Sequence, residues 1–168
     1  MISRDHNTLT TQSTAVYSPC ERYRYLLTRT WDKSAPKALF IMLNPSTATE
    51  TQNDPTVERC ERRARALNFG AFRVTNIFAW RDTDPRKMRA APDPVGPEND
   101  AAIQDSTLWA DIILCAWGNH GNHLDRGAQV QKLLQATSLP LHHLWLTKQG
   151  HPTHPLYLPY VRQPELWV

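Results

Sequence analysis

The sequence predicts an α/β fold: a three-layer α/β/α sandwich on a four-stranded parallel sheet, with one further strand at its N-terminal edge. Three observations carry that expectation. Leu39, Phe40, Ile41, Met42 and Leu43 form an unbroken apolar run that stops at Asn44-Pro45-Ser46, and such a run reads as a strand covered on both faces, as in parallel sheets. Comparable strand-like stretches recur at residues 71–80, 111–118 and 141–147. Between them lie segments with apolar residues at helical spacing, and strands alternating with helices call for a parallel sheet with right-handed crossovers and helices on both faces.

Taken in order, residues 1–18 are polar, rich in Ser and Thr and without periodicity, which predicts a mobile N-terminal arm ahead of a single α/β domain over residues 19–168. Residues 22–31 are aromatic and β-branched and partly alternate, so they form the edge strand. Its basic face, Arg22, Arg24 and Arg29, either touches phosphate or carries the charges that protect an exposed edge. Pro45 has no N–H to give a central ladder and ends the first core strand. Asn44 is thereby held at the carboxyl end of a buried strand, where open α/β sheets bind ligands; a plain polar turn is the alternative.

Asp54 can cap a helix whose first position suits Pro55. Val57, Cys60, Ala64 and Leu67 give it one apolar face, and Gly70 is placed for a left-handed cap. Arg59, Arg62, Arg63 and Arg65 coat its other faces, as a solvated surface or as phosphate contacts. The second core strand, 71–80, carries Thr75-Asn76 toward its carboxyl end. A long proline-rich loop follows over 81–97, a length that is usually functional or disordered. Helix 98–110 leads to strand 111–118, which empties into Asn119, His120, Gly121, Asn122 and His123. Helix 124–137 turns Val130, Leu133 and Leu134 inward, and strand 141–147 ends in the segment 148–157.

Composition excludes several classes. A chain of 168 residues suits one domain with its own core. No apolar run approaches the roughly 18–20 residues of a membrane helix, and no apolar signal core follows the N-terminus, so a cytoplasmic protein without a membrane partner is expected. The three cysteines, Cys20, Cys60 and Cys115, are dispersed and odd in number, which gives neither a disulfide framework nor a cysteine metal site. A net charge of +3 permits a polyanionic partner without demanding one.

The strand ends deliver Asn44-Pro45-Ser46, Thr75-Asn76, Asn119-His120 and residues 151–157 to one edge. No glycine-rich phosphate loop follows the first core strand and no G-x-S-x-G elbow is present. His120, His123, His151 and His154 could surround zinc, but no carboxylate or cysteine joins them at ligand spacing, so neither a metal nor a cofactor is expected. What remains is an edge of amides and imidazoles near Phe78, Trp80, Trp117 and Tyr157. Amides read base edges, aromatics stack on base faces, and a histidine can donate to a developing anion. That inventory suits a pocket for a flipped-out nucleobase.

Residues 42–48 (Met-Leu-Asn-Pro-Ser-Thr-Ala), 54–56 (Asp-Pro-Thr), 76–79 (Asn-Ile-Phe-Ala), 93–100 (Asp-Pro-Val-Gly-Pro-Glu-Asn-Asp), Trp117-Gly118 and 154–157 (His-Pro-Leu-Tyr) closely resemble a bacterial and phage domain family of unknown function. More remotely, the layout resembles the uracil-DNA glycosylase superfamily, whose mismatch-specific branch carries Gly-x-Asn-Pro after the first core strand. Here Met42-Leu43-Asn44-Pro45 stands in that place. The resemblance implies that Asn44 holds the attacking water, that Asn76 reads the base, and that His151 or His154, with His154 favoured, helps the base to leave. Pro45, Ser46, Phe78, Trp117, His120, His151 and Tyr157 would line the base pocket, and Arg22, Arg24, Arg59 and Arg62 would meet phosphate. Met42 departs from the superfamily's glycine, and the aspartate of its most active members is absent at Asn44. The expected activity is a DNA glycosylase-like hydrolysis of an N-glycosidic bond. The alternatives are a non-catalytic module for DNA or for a nucleobase or nucleotide, and a hydrolase or transferase of free nucleosides or nucleotides.

Overall fold

A computed structural model describes residues 1–168. The apolar run becomes β4 (Lys37–Met42), and its alternate side chains go to opposite layers. Ala38, Phe40 and Met42 join a core with Val57, Cys60 and Ala64 of α1 (Pro55–Ala66), while Leu39 and Ile41 join a second core. That second core takes Met88 of α2 (Pro85–Ala90), Ile103 of α3 (Asn99–Trp109) and Val130 and Leu134 of α4 (Arg126–Leu134). One helix thus covers one face and three cover the other. This is the physical meaning of the unbroken run: no residue of it has a solvent side.

The sheet is larger than a four-stranded parallel sheet with one edge strand, and it is mixed. Its eight strands run in the order β1-β2-β3-β5-β4-β6-β7-β8. β4 lies parallel to β5 (Ala71–Asn76) on one side and to β6 (Ile112–Ala116) on the other, and β6 lies parallel to β7 (Leu141–His143). β3 (Arg24–Thr30) joins β5 antiparallel and is not an edge. Outside it lies a hairpin of β1 (Ile2–Asn7) and β2 (Gln12–Tyr17), so residues 1–18 build two strands where an arm was expected. Ser13, Ala15 and Tyr17 are buried at every second position. That is a strand period, carried by side chains too small or polar to register as apolar alternation. At the other end, β8 (Glu165–Leu166) adds an unforeseen antiparallel strand to β7.

Three further differences are local. The 81–97 loop contains α2, started by Asp84, whose side chain accepts from the Arg86 N–H at 2.9 Å, with Pro85 at the first turn. The second and last core strands stop at Asn76 and His143, each four residues early. After α1 the left-handed residue is Asn68 (φ 65°), not Gly70. A Cβ on Gly70 would lie 1.9 Å from the carbonyl oxygen of Asp32, so close backbone approach is what requires glycine there.

The chain leaves β4 toward β5 through α1 and leaves β6 toward β7, on the opposite side, through α4. β4 and β6 are adjacent, so their carboxyl ends bound the point where the winding reverses. Open α/β sheets bind ligands in the crevice there.

Candidate functional site

A cavity of about 700 Å³ occupies that crevice, within the size range of small-molecule sites. The end of β4 supplies Leu43, Asn44 and Ser46, and the end of β6 supplies Trp117, Gly118, Asn119 and His120. The start of α1 adds Asp54, Pro55 and Thr56; the loop after β5 adds Asp82, Thr83 and Pro85. His154, Leu156 and Tyr157 close it from the C-terminal segment. Gly118, at φ 72°, turns the chain so that its N–H donates to the Pro152 carbonyl at 2.7 Å, which brings that segment to the end of β6.

Asn44 faces this cavity under constraint. Its Nδ2 donates to the carbonyls of Asp82 (2.8 Å), Pro45 (3.2 Å) and Trp80 (3.4 Å). Three acceptors around one nitrogen fix the orientation of the amide. The amide nitrogen therefore ties the β4 end to the loop after β5, and Oδ1 is the atom left to accept from a ligand or a water. The Asp82 N–H donates back to the Pro45 carbonyl at 2.9 Å.

His154 is an uncharged donor. The Leu156 N–H donates to its Nδ1 at 3.3 Å, so the neutral ring carries its proton on Nε2. Burial pushes its pKa down to about 4, against the opposing pull of the Asp54 carboxylate. At neutral pH this ring gives a neutral N–H to the site and not an imidazolium charge.

Beneath the main cavity lies a chamber of about 30 Å³. Asn44, Ser46, Asp54, Thr56 and His154 line both spaces, and Arg24, Met42 and Asn76 are added only in the chamber. Asn76 is 1% exposed, and neither its Oδ1 nor its Nδ2 has a protein partner. Arg24 is also 1% exposed; its Nη1 donates to the Ala48 carbonyl at 2.9 Å, and its Nε has no partner. Burial lowers the Arg24 pKa to about 10, partly offset by Asp54, so the side chain stays cationic at neutral pH. Asp54 is the cap of α1: Oδ1 accepts from the Val57 N–H at 2.9 Å and Oδ2 from the Ala48 N–H at 3.1 Å.

Several sequence expectations land elsewhere. Arg24 is inside the protein and cannot meet phosphate at the surface; Arg29 is buried too, holding the 49–53 loop through the carbonyls of Thr49 and Gln52. Arg59 donates to the carbonyls of Pro155 and Leu158, and Arg62 pairs with Glu58 at 2.9 Å one turn away. Only Arg22 of the four proposed phosphate ligands is exposed without a carboxylate partner; it lies over the Trp80 ring. Phe78 is fully buried against His123 in the core and His151 does not line the cavity. Trp117 is 2% exposed and packs on Trp167, so it forms a wall and not a free stacking surface. His120 and the exposed Tyr157 stand at the rim. Asp82 and Thr83 line the cavity from a loop with no periodic signal of its own, and Asp54 lines it as well as capping α1.

A second cavity, of about 530 Å³, adjoins the first and shares Ser46, Asp82 and Thr83 with it. Arg22, Trp80 and Arg81 line its far side. No group of three or more His, Cys, Asp or Glu side chains stands together as a metal cage, and no helix is long and apolar enough to cross a membrane.

The fold and site define an α/β protein with a polar ligand crevice at the reversal point of its sheet. Residues 24–156 match the model of a family described as "Protein of unknown function (DUF1643)", and the chain belongs to that family. No curated protein and no solved structure matches the chain, and nothing in these comparisons links it to the uracil-DNA glycosylase superfamily.

Proposed function

We propose that this protein is glycosylase-like: it takes the base of a nucleotide unit, flipped from DNA, into the crevice and hydrolyses its N-glycosidic bond. The observation that carries this reading is the pair of adjoining cavities. One is lined by amides, imidazoles, an indole wall and the Asp54 carboxylate, the other by Arg22 and Arg81 beside a Glu21 that Arg4 pairs, and Ser46, Asp82 and Thr83 form the boundary. A base and its phosphate make that same division. Asn44 Oδ1 accepts from the attacking water, and the neutral His154 Nε2–H donates to the departing base as it becomes anionic.

One observation favours a non-catalytic module for the same ligand. Met42 stands beside Asn76 in the parallel register of β4 and β5, and the chamber they line is too small for a ring, so direct reading of a base edge by Asn76 is blocked. The test is a panel of oligonucleotides, each with one modified or deaminated base, scored for alkali-labile abasic sites, with free nucleosides and nucleotides run alongside. Abasic product from at least one oligonucleotide is expected. Saturable binding without product selects the module, and turnover of free compounds alone selects a nucleoside or nucleotide hydrolase.

A further inference from the structure

The chamber under Asn44 combines features that point to a single small ligand. Its volume, about 30 Å³, is room for a water and not for a ring. Asn76 and Arg24 are both buried, and between them they present an unpaired carbonyl oxygen, an unpaired amide nitrogen and an unpaired Nε–H. Buried polar atoms are nearly always hydrogen-bonded, so three without a protein partner on residues that line one chamber are a strong demand for a group that both donates and accepts. An anion would meet the Asp54 carboxylate, and a cation would meet the Arg24 guanidinium. Water satisfies both signs.

We propose that this chamber is a binding site for one captive water, held by Arg24 Nε and the Asn76 amide, and that Asp54 accepts its proton when it attacks the ligand. The second half rests on the glycosidic reading above. In that step the water oxygen forms a bond to the anomeric carbon, and the carbon–nitrogen bond breaks with its electron pair leaving on the base. The water's proton passes to the Asp54 carboxylate, and His154 Nε2–H donates a hydrogen bond to the base anion. Asn44 has only an amide and cannot take the proton, so it is a positioning residue for this water. Asp54 lines both the chamber and the outer cavity; Asp82 lines only the outer one. Asn76 is thereby reassigned from reading the base to holding the nucleophile, which explains an amide that lines a chamber no base can enter.

The test has a structural arm and a kinetic arm. A high-resolution crystal structure of the unliganded wild-type protein should show one water within hydrogen-bond distance of Arg24 Nε and Asn76. Asn76→Leu, the same branched shape but apolar and bulkier, should expel it while the protein still folds. A chamber without that water in the wild type overturns the site, whatever the substrate panel shows. Asp54→Asn keeps the acceptor for the Val57 N–H but loses the one for the Ala48 N–H, so it should keep the water, melt lower than the wild type and still be folded at the assay temperature. Its single-turnover rate on the best panel substrate should fall on the order of 100- to 10,000-fold, the usual loss of a general base. An unchanged rate removes Asp54 from the proton path. Water in the chamber together with a panel that yields no product overturns the hydrolase reading and leaves the water site standing.

Discussion

At the scale of single residues, His154 is where environment changes chemistry most. Its folded pKa, lowered to about 4 by burial from an ordinary 6.5, has a sign that can be worked out. Between those values the unfolded chain binds a proton that the folded chain refuses, so the contribution to stability is complete above pH 6.5 and is lost as pH falls toward 4. The loss approaches about 1.4 kcal/mol per pH unit within that window. His154→Gln removes the titration, so the wild type's unfolding free energy should fall more steeply than the variant's between pH 6.5 and 4. Parallel curves from urea titrations at several pH values would place the imidazole in water. Asn44 and His154 were legible because each follows an apolar run or stands beside prolines where the chain must leave regular structure. Arg24 was not. Nothing in an alternating basic strand says that its guanidinium turns inward to the Ala48 carbonyl, because that partner arrives through tertiary folding.

At the scale of elements, α1 was legible at its start and on its apolar face, and misleading on its basic one. Asp54 and Pro55 begin it, and Val57, Cys60 and Ala64 are buried as the helical spacing requires. Arg63, one of the arginines expected as a solvated coat, is fully buried. It donates to the carbonyls of Leu158 (3.0 Å), Pro159 (3.1 Å) and Arg162 (3.4 Å), while Arg59 holds Pro155 and Leu158 and lies over the Tyr160 ring. These two side chains clamp the segment that carries His154. A helix cannot announce such a role, because its partner is about 95 residues later, in a segment whose only regular structure is one 3-10 turn at Pro155–Tyr157. Arg63→Met keeps much of the apolar stem and deletes the donors. It should destabilise the protein by about 3 kcal/mol, since hydrogen bonds from a charged group contribute about 1.5–3 kcal/mol each and some carbonyls regain water. Amide exchange over residues 155–162 should speed up more than exchange in β4. Uniform acceleration, or none, would show that the clamp is not what holds the segment.

At the scale of the whole molecule, the net charge of +3 does not say where a polyanion would meet arginine. Arg24, Arg29, Arg63 and Arg126 are buried, and Arg4, Arg62, Arg65 and Arg86 are paired with carboxylates. The folded chain has turned most of its arginines into internal braces and surface pairs, leaving Arg22 and Arg81 beside the cavity next to the crevice. Two phosphate contacts on a single strand release few counterions. The logarithm of affinity should then fall with the logarithm of salt concentration at a slope of about −1.4, or about 0.7 per contact. Arg22→Ala should bring the slope to about −0.7 with no change in sequence preference, whereas Arg62→Ala, already neutralised by Glu58 on an exposed face of α1, should leave it unchanged. Fluorescence anisotropy of labelled single-stranded oligonucleotides at four or five salt concentrations measures all three slopes. A wild-type slope steeper than about −3, or equal losses from the two variants, would mean that a broader surface meets the backbone and that the two-cavity division is wrong. Binding indifferent to salt would instead shift the ligand toward an uncharged nucleoside, because the Arg22 side of the site would then have no phosphate to hold.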